Sequence, residues 1–173
     1  MHVPPSKRKL EDGDILTLDM GLKWRGWYLD MARTIPIGKI SKEKSDLILA
    51  TKEALDLGIK QAKVGNRLGD IGHAVQTYLE ERKYGVVRQL CGHGIGRNLH
   101  EKPDIPNFGQ RHKGETLKPG MVLAIEPMAV IGDPGIKKGP DGFCCQTSDN
   151  SWSAHFEHTI LITDGSPEIL TKI

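Results

Sequence analysis

An apolar run with one acidic residue at its centre occupies residues 121–130, Met121-Val-Leu-Ala-Ile-Glu126-Pro-Met-Ala-Val130. The run predicts a β-strand. A lone Glu126 buried in such a strand would cost several kcal/mol unless it is paired or binds a metal ion. Glu126 is therefore a candidate functional residue.

The same anomaly recurs near the end of the chain, in Ala154-His-Phe-Glu157-His-Thr-Ile-Leu-Ile162. Glu157 begins a strongly apolar strand end, and residues 154–163 predict a further strand. Residues 86–90 and 143–147 are also extended candidates, whereas the glycine- and proline-rich stretch 132–142 predicts a loop.

Two extended runs, 14–20 and 27–35, flank turn residues and predict a β-hairpin. Asp19 lies on the first run and Asp30 on the second, and across a tight hairpin both side chains can point to one face. One interpretation makes them a turn residue and a solvated strand position. The other places a cation between them, because two unpaired carboxylates on a half-buried face repel each other.

Two helices are predicted between the hairpin and the later strands. Ser41 can cap the first, and the second follows Gly65 and ends near Gly85. Helices and mostly antiparallel strands in separate runs favour an α+β fold, and the length of 173 residues favours a single domain over residues 1–173.

The glycine-rich stretch Cys91-Gly-His93-Gly-Ile-Gly-Arg97 invites interpretation as a dinucleotide-binding loop. That interpretation fails, because no helical pattern follows it. Glycines on both sides of His93 instead allow the backbone to bend closely around a functional imidazole. Cys91 near this histidine also suggests a cysteine nucleophile, but the spacing of Cys91 and His93 does not favour that hypothesis.

Four acidic residues and one histidine thus form a candidate ligand set: Asp19, Asp30, His93, Glu126 and Glu157. The formal charge of four carboxylates balances two divalent cations, and oxygen ligands with one nitrogen suit Mn, Fe, Co or Zn. His100 is interpreted as a hydrogen-bond donor or electrophile beside this set. The histidines at 73, 112 and 155 are interpreted as surface or loop residues.

Composition excludes several classes of protein. With 24 Lys and Arg against 22 Asp and Glu, the net charge of +2 does not indicate a general nucleic-acid binder. No apolar run approaches the ~18 residues of a membrane span, and the first residues lack the apolar centre of a signal peptide. Three cysteines, two of them adjacent, imply no disulfide framework, so a cytoplasmic location is expected.

Several motifs together resemble the type I methionine aminopeptidases of the pita-bread metallopeptidases, whose relatives include prolidase and aminopeptidase P. They are Gly13-Asp-Ile-Leu-Thr-Leu-Asp19 with Asp30, Gly92-His-Gly-Ile-Gly-Arg97 with His100-Glu-Lys-Pro103, Ile125-Glu-Pro-Met128 and Phe156-Glu-His-Thr159. The resemblance covers essentially the whole chain. It implies a curved antiparallel sheet with helices on its outer face, and removal of N-terminal methionine from peptides or nascent proteins.

The resemblance also implies roles for individual residues. Asp19 would bind one metal ion, Asp30 and Glu157 would bridge both, and His93 and Glu126 would bind the other. A metal-bridged hydroxide would attack the peptide carbonyl, which His100 faces, while Glu126 shuttles the proton. His2 would lie near the substrate amide, and Leu99 and Phe143 would line the side-chain pocket, where the family usually has Phe and Trp.

The family domain has two further helices and a hairpin before the motif histidine, so an N-terminally truncated domain with exposed apolar sheet surface is expected. The ribosome is an expected partner, with no nucleic-acid specificity and no membrane association. Two alternatives stay open: an inactive pita-bread module used for binding, and an X-Pro peptidase of the same superfamily.

Overall fold

The computed structural model describes residues 7–139, 142 and 144–172. In this part of the chain two helices follow a hairpin and precede a series of short strands. The elements are, in order, β1 (Ile15–Trp24), β2 (Trp27–Pro36), α1 (Lys42–Gln61), α2 (Leu68–Glu81), β3 (Gly85–Val86), β4 (Gly92–Gly94), β5 (Glu101–Ile105), β6 (Val122–Ile125), β7 (Met128–Val130), β8 (Ile136–Lys138), β9 (Cys145–Thr147), β10 (Ser153–His155), β11 (His158–Leu161) and β12 (Glu168–Ile169).

The predicted hairpin is confirmed as the antiparallel pair β1 and β2. Its two-residue turn consists of Arg25 and Gly26, both with positive φ (47° and 84°), as hairpins with right-handed strand twist require. The register places Gly21 opposite Asp30 and Asp19 opposite Ala32. Asp19 and Asp30 therefore lie on the same face of the hairpin, as the sequence predicts.

The two predicted helices are also confirmed. The Ser41 side chain accepts a hydrogen bond from the Lys44 N–H and caps α1. Buried residues of α1 recur every three or four positions and pack against α2, where Gly58 faces Val75. A Cβ at Gly58 would lie 2.9 Å from a methyl carbon of Val75, so any larger residue there would push the helices apart.

The two long predicted strands are each broken at their acidic residue. Residues 121–130 divide into β6 and β7 at Glu126-Pro127, and residues 154–163 divide into β10 and β11 at Phe156-Glu157. As a result β6 and β11 belong to a five-stranded sheet of order β12-β11-β6-β4-β5, whereas β7 and β10 belong to a three-stranded sheet of order β10-β7-β3.

Smaller differences from the predicted elements lie outside these sheet centres. The expected strand 86–90 is limited to the end of β3 at Val86. The expected loop 132–142 contains β8, which pairs with β9. Phe143, expected to begin a strand, lies outside the described residues.

The helices cover one face of the sheet and leave the other face for polar residues. Leu123 and Ile125 of β6 belong to the apolar cluster that includes Leu55 of α1 and Ile71 of α2. Because side chains alternate along a strand, Ala124 of β6 points to the opposite face, where its register partner is His93.

The outer face of the hairpin, opposite to the face of Asp19 and Asp30, is apolar and exposed. Five of its large side chains are between 51% and 65% exposed: Leu18, Met20, Leu22, Trp24 and Trp27. No helix among the described residues is long and apolar enough to cross a lipid bilayer. The arrangement of two helices and antiparallel sheets is α+β, as predicted.

Candidate metal centre

All the predicted ligands line one pocket of about 310 Å³ on the polar face of the sheet. The hairpin, the glycine-rich segment and the two strand breaks contribute to its wall. The lining residues are Asp19, Gly21, Asp30, Leu90, Cys91, His93, Leu99, His100, Glu126 and Glu157. Side chains that are up to 138 residues apart in the chain are thus brought together.

His93 directs one ring nitrogen at two carboxylates. Its Nε2 lies 4.0 Å from Oδ2 of Asp30 and 3.8 Å from Oε1 of Glu126. Its Nδ1 lies 2.9 Å from the Gly94 carbonyl oxygen, which can only accept a hydrogen bond, so Nδ1 carries the proton. In the neutral imidazole, Nε2 then has a lone pair that faces the pocket, as in a histidine that binds a metal ion.

Asp30 and Glu157 complete a tight group with His93. One ligand atom from each of the three residues lies within 4.8 Å of the other two, and all three residues are buried. Oδ1 of Asp30 and Oε1 of Glu157 have no hydrogen-bond partner among the described residues. Such orphaned carboxylate oxygens are costly unless a proton or a cation satisfies them.

The same surroundings shift both acids towards their protonated forms. Burial raises the pKa of Glu157 to about 10, and repulsion from the carboxylates of Glu126, Asp30 and Asp19 adds to the effect. Burial, with repulsion from Asp19, also raises the pKa of Asp30, although His93 opposes the rise. Without a cation, the ionised forms of Asp30 and Glu157 are therefore disfavoured.

Backbone hydrogen bonds fix the positions of these ligands. Oγ1 of Thr159 accepts a hydrogen bond from the Asp30 N–H and donates one to the Asp30 carbonyl, both at 2.8 Å. The Glu157 N–H donates to the Ala32 carbonyl at 2.9 Å. Nδ2 of Asn107 donates to the Glu126 carbonyl at 3.0 Å. Each of these three acids is thus held by a segment distant in sequence.

Asp19 lies at the open side of the group. Its side chain is 35% exposed, and its Oδ2 lies 3.9 Å from Nδ1 of His155. Nε2 of the same histidine lies 3.3 Å from Oε2 of Glu126. The interpretation of His155 as a surface or loop residue is therefore wrong: it is buried among the acids. No alternation pattern marks it, because the strand is interrupted between His155 and Glu157.

His100 and Leu99 lie at the rim of the pocket. The His100 ring centroid is 4.3 Å from that of His93, and the residue is exposed, so it is accessible to a ligand. A Cβ at Gly21 would lie 3.1 Å from Cδ1 of Leu99, so the glycine leaves room for that side chain.

Three other sequence expectations have different outcomes. The predicted substrate residues His2 and Phe143 lie outside the described residues. Cys91 lines the pocket, but burial and repulsion from Asp104 raise the pKa of its thiol. A raised pKa disfavours the thiolate that nucleophilic catalysis needs. The glycine-rich stretch is followed by β5 and not by a helix, which agrees with rejecting a dinucleotide loop.

The donor set fits divalent cations. It offers four carboxylates and an imidazole with its Nε2 lone pair in the pocket, and two carboxylate oxygens lack a hydrogen-bond partner among the described residues. Hard oxygen donors with one nitrogen suit first-row divalent metals, whose charge would compensate the repulsion between the acids.

Comparison with known proteins identifies the family of the chain. The sequence profile of Metallopeptidase family M24 matches residues 1–164. The chain belongs to this family. It is 47% identical over 173 residues to Methionine aminopeptidase 1 of Bacillus subtilis, covering the whole chain and 70% of that protein. It is also 47% identical over 172 residues to a methionine aminopeptidase of Clostridium acetobutylicum, covering 99% of the chain and 69% of that protein.

Solved structures agree with this membership. A methionine aminopeptidase from Thermotoga maritima superposes with a TM-score of 0.96 at 43% identity, covering 99% of this chain and 69% of that one. A prolidase from Pyrococcus furiosus superposes with a TM-score of 0.78 at 25% identity, covering 97% of this chain and 44% of that one. The resemblance to methionine aminopeptidases, the pita-bread fold and the metallo-aminopeptidase class are confirmed. Membership of this metallopeptidase family implies divalent metal ions as cofactors.

Proposed function

We propose that the chain binds two divalent metal ions and removes the N-terminal methionine from peptides and nascent proteins. The observation that carries the proposal is the convergence of Asp19, Asp30, His93, Glu126 and Glu157 on one pocket with His100 at its rim. Its curated relatives are methionine aminopeptidases, which supports methionine as the residue removed.

The charge of the site supports two ions. Four carboxylates carry a formal charge of −4 when ionised, and two divalent cations neutralise it. Asp30 and Glu157, the two most central acids, would contact both ions. Asp19 would complete one set of ligands, and His93 with Glu126 the other. Co, Mn, Fe and Zn all suit this donor set.

When bound, the two ions supply Lewis acidity that polarises the scissile carbonyl and lowers the pKa of water. The Glu126 carboxylate then accepts a proton from the attacking water and passes it to the departing amine. The His100 ring, exposed at the rim, donates a hydrogen bond to the carbonyl oxygen as negative charge develops there. Leu99 supplies apolar contact for the methionine side chain. Phe143 as a second wall and His2 near the substrate amide are part of the same proposal.

The proposal is tested on purified chain that has been stripped with a chelator and reloaded with Mn²⁺ or Co²⁺. Mass spectrometry of the native protein should count two ions per chain. Release of methionine should be fast from Met-Ala-Ser and Met-Gly-Ser, and slow when a bulky residue follows methionine. Folded protein that takes up neither ion would overturn the proposal.

The same assay separates the alternatives. Cleavage of X-Pro peptides with no release from Met-Ala-Ser would indicate an X-Pro peptidase. Metal uptake without any turnover would indicate a binding module. The ribosome as a partner and the cytoplasm as the location belong to the proposal, and co-sedimentation with ribosomes tests the first of them.

A further inference from the structure

His155 lies between two of the proposed metal ligands. Its Nε2 is 3.3 Å from Oε2 of Glu126, and its Nδ1 is 3.9 Å from Oδ2 of Asp19. The residue is 3% exposed and does not line the pocket. The two ring nitrogens therefore face the carboxylates of Glu126 and Asp19 from outside the pocket, away from the space that a substrate would occupy.

The backbone of His155 is held as firmly as that of Asp30. Oγ1 of Thr34 accepts a hydrogen bond from the His155 N–H at 2.9 Å and donates one to the His155 carbonyl at 3.0 Å. This is the arrangement that Thr159 makes with Asp30. Thr34 and Thr159 both act across the junction between β2 and the broken strand β10–β11. The backbone that carries the imidazole is therefore anchored to the hairpin that carries Asp19.

The two carboxylate oxygens of Glu126 face different histidines. Oε1 lies 3.8 Å from Nε2 of His93 on the pocket side, whereas Oε2 faces His155. With Oε2 next to the His155 imidazole, Oε1 is the oxygen that faces the pocket. The second nitrogen, Nδ1, faces Oδ2 of Asp19 at 3.9 Å.

We propose that His155 is a positioning residue that orients the carboxylates of Glu126 and Asp19 together. This inference rests on the proposed function, in which Glu126 and Asp19 bind different ions. His155 then sets the orientation of one ligand from each ion site, so its loss weakens both sites and slows the step in which Glu126 moves a proton. Removing a residue that contacts a metal ligand from outside the coordination sphere typically lowers metal affinity or activity by about 10–100-fold.

The test compares His155→Leu, which keeps the volume but loses both nitrogens, with His155→Gln, which keeps an N–H donor. His73→Leu, a change on α2 away from the pocket, is the matched control. Calorimetric titration of metal-free protein with MnCl₂ measures ion affinity, and thermal unfolding of the metal-free protein measures folding. Turnover of Met-Ala-Ser measures kcat and KM separately.

We expect His155→Leu to weaken Mn²⁺ binding and to lower kcat, each by roughly 10–100-fold, with KM little changed. His155→Gln should recover most of both losses, and His73→Leu should behave as wild type. A structural role alone would lower the unfolding temperature of His155→Leu while leaving Mn²⁺ affinity and kcat of the folded fraction unchanged. That result would overturn the inference.

Two further outcomes are decisive. If His155→Leu does not fold, Mn²⁺ affinity of His155→Gln is compared with that of His155→Asn, whose shorter amide cannot reach the same carboxylates. Equal affinities in these two variants would contradict the inference. If the wild-type protein itself binds no Mn²⁺, the proposed function fails. If the wild-type protein binds Mn²⁺ and the His155 substitutions leave that affinity unaltered, only the inference about His155 fails.

Discussion

Glu126 lies opposite Glu157 at the point where both of their strands change sheet. Ile125 pairs with His158 on one side of them, and Met128 pairs with His155 on the other, in one continuous register. The two glutamates therefore face each other in the interval where the regular ladder is broken. Like charges directly opposite in a sheet are destabilising, so a proton on one glutamate or a cation between the two has to relieve this juxtaposition.

Replacing Glu126 by Gln tests the proton-transfer role. The change keeps the side-chain volume but removes the charge and the proton acceptor. We expect kcat on Met-Ala-Ser to fall by about 10²–10⁴, with a much smaller change in KM. Steady-state kinetics at saturating Mn²⁺ measures both. Glu81→Gln, at the exposed end of α2, is the control. Near wild-type turnover in Glu126→Gln would contradict the assigned role.

Replacing His100 by Ala tests stabilisation of the developing negative charge. His100 is exposed at the pocket rim with its ring beside that of His93, so its removal should disturb the fold little. We expect kcat to fall by roughly 10²–10³, the usual loss for an oxyanion donor. Thermal unfolding should stay at the wild-type temperature. A loss of activity that follows a loss of folding would instead indicate a structural role.

Stability of the metal-free protein should depend on pH through Glu157. Its pKa is raised from 4.5 to about 10 in the folded chain, so between these values the unfolded state is ionised while the folded state keeps its proton. The unfolded state binds fewer protons, and the free energy of unfolding therefore falls as pH rises through this window. One proton accounts for at most ~1.4 kcal/mol per pH unit.

Thermal unfolding of chelator-treated protein between pH 6 and pH 9 measures this dependence. The unfolding temperature should decrease as pH rises, and saturating Mn²⁺ should remove most of the decrease, because bound cations replace the proton. Glu157→Gln, which cannot ionise, should flatten the dependence in metal-free protein. A metal-free protein that becomes more stable with rising pH would contradict the assigned environment of Glu157.

The hairpin, the helices and the acidic members of the site could be predicted from local patterns. Ser41 caps a periodic apolar stripe, and turn residues separate two extended runs, so these elements are encoded within a few residues of one another. Glu126 and Glu157 stand out because a charge interrupts an apolar run. Both line one pocket with Asp30 and His93.

Other features depend on contacts that local patterns do not encode. His155 became a neighbour of Glu126 only through the pairing of β10 with β7 and through hydrogen bonds to Thr34, 121 residues earlier. The strand breaks at Pro127 and Phe156 are likewise set by the junction between two sheets. β4 and β5 carry glycines or alternating charges in place of an apolar run, so no strand pattern marks them.

Replacing Thr159 by Val tests the clamp on Asp30. Valine keeps the shape of the fully buried side chain but removes the hydroxyl that bonds both the N–H and the carbonyl of Asp30. Leaving these groups unsatisfied should cost about 1–3 kcal/mol in free energy of unfolding and should weaken Mn²⁺ binding. Urea unfolding and calorimetry measure the two effects. Thr163→Val, whose hydroxyl bonds lie in an exposed turn, should have little effect on either.

The exposed outer face of the hairpin should make the protein self-associate. Leu18, Met20, Leu22, Trp24 and Trp27 form a contiguous apolar strip on paired strands, and strips of this kind favour association over solvation. Light scattering should show a mass that rises with protein concentration. Met20→Thr with Leu22→Thr keeps β-propensity while making the strip polar, and should lower that mass. Leu49→Thr, an exposed apolar residue on α1, is the control and should leave it unchanged. A wild-type protein that stays monomeric at every concentration, with no gain in solubility from the double substitution, would show that the strip does not drive association.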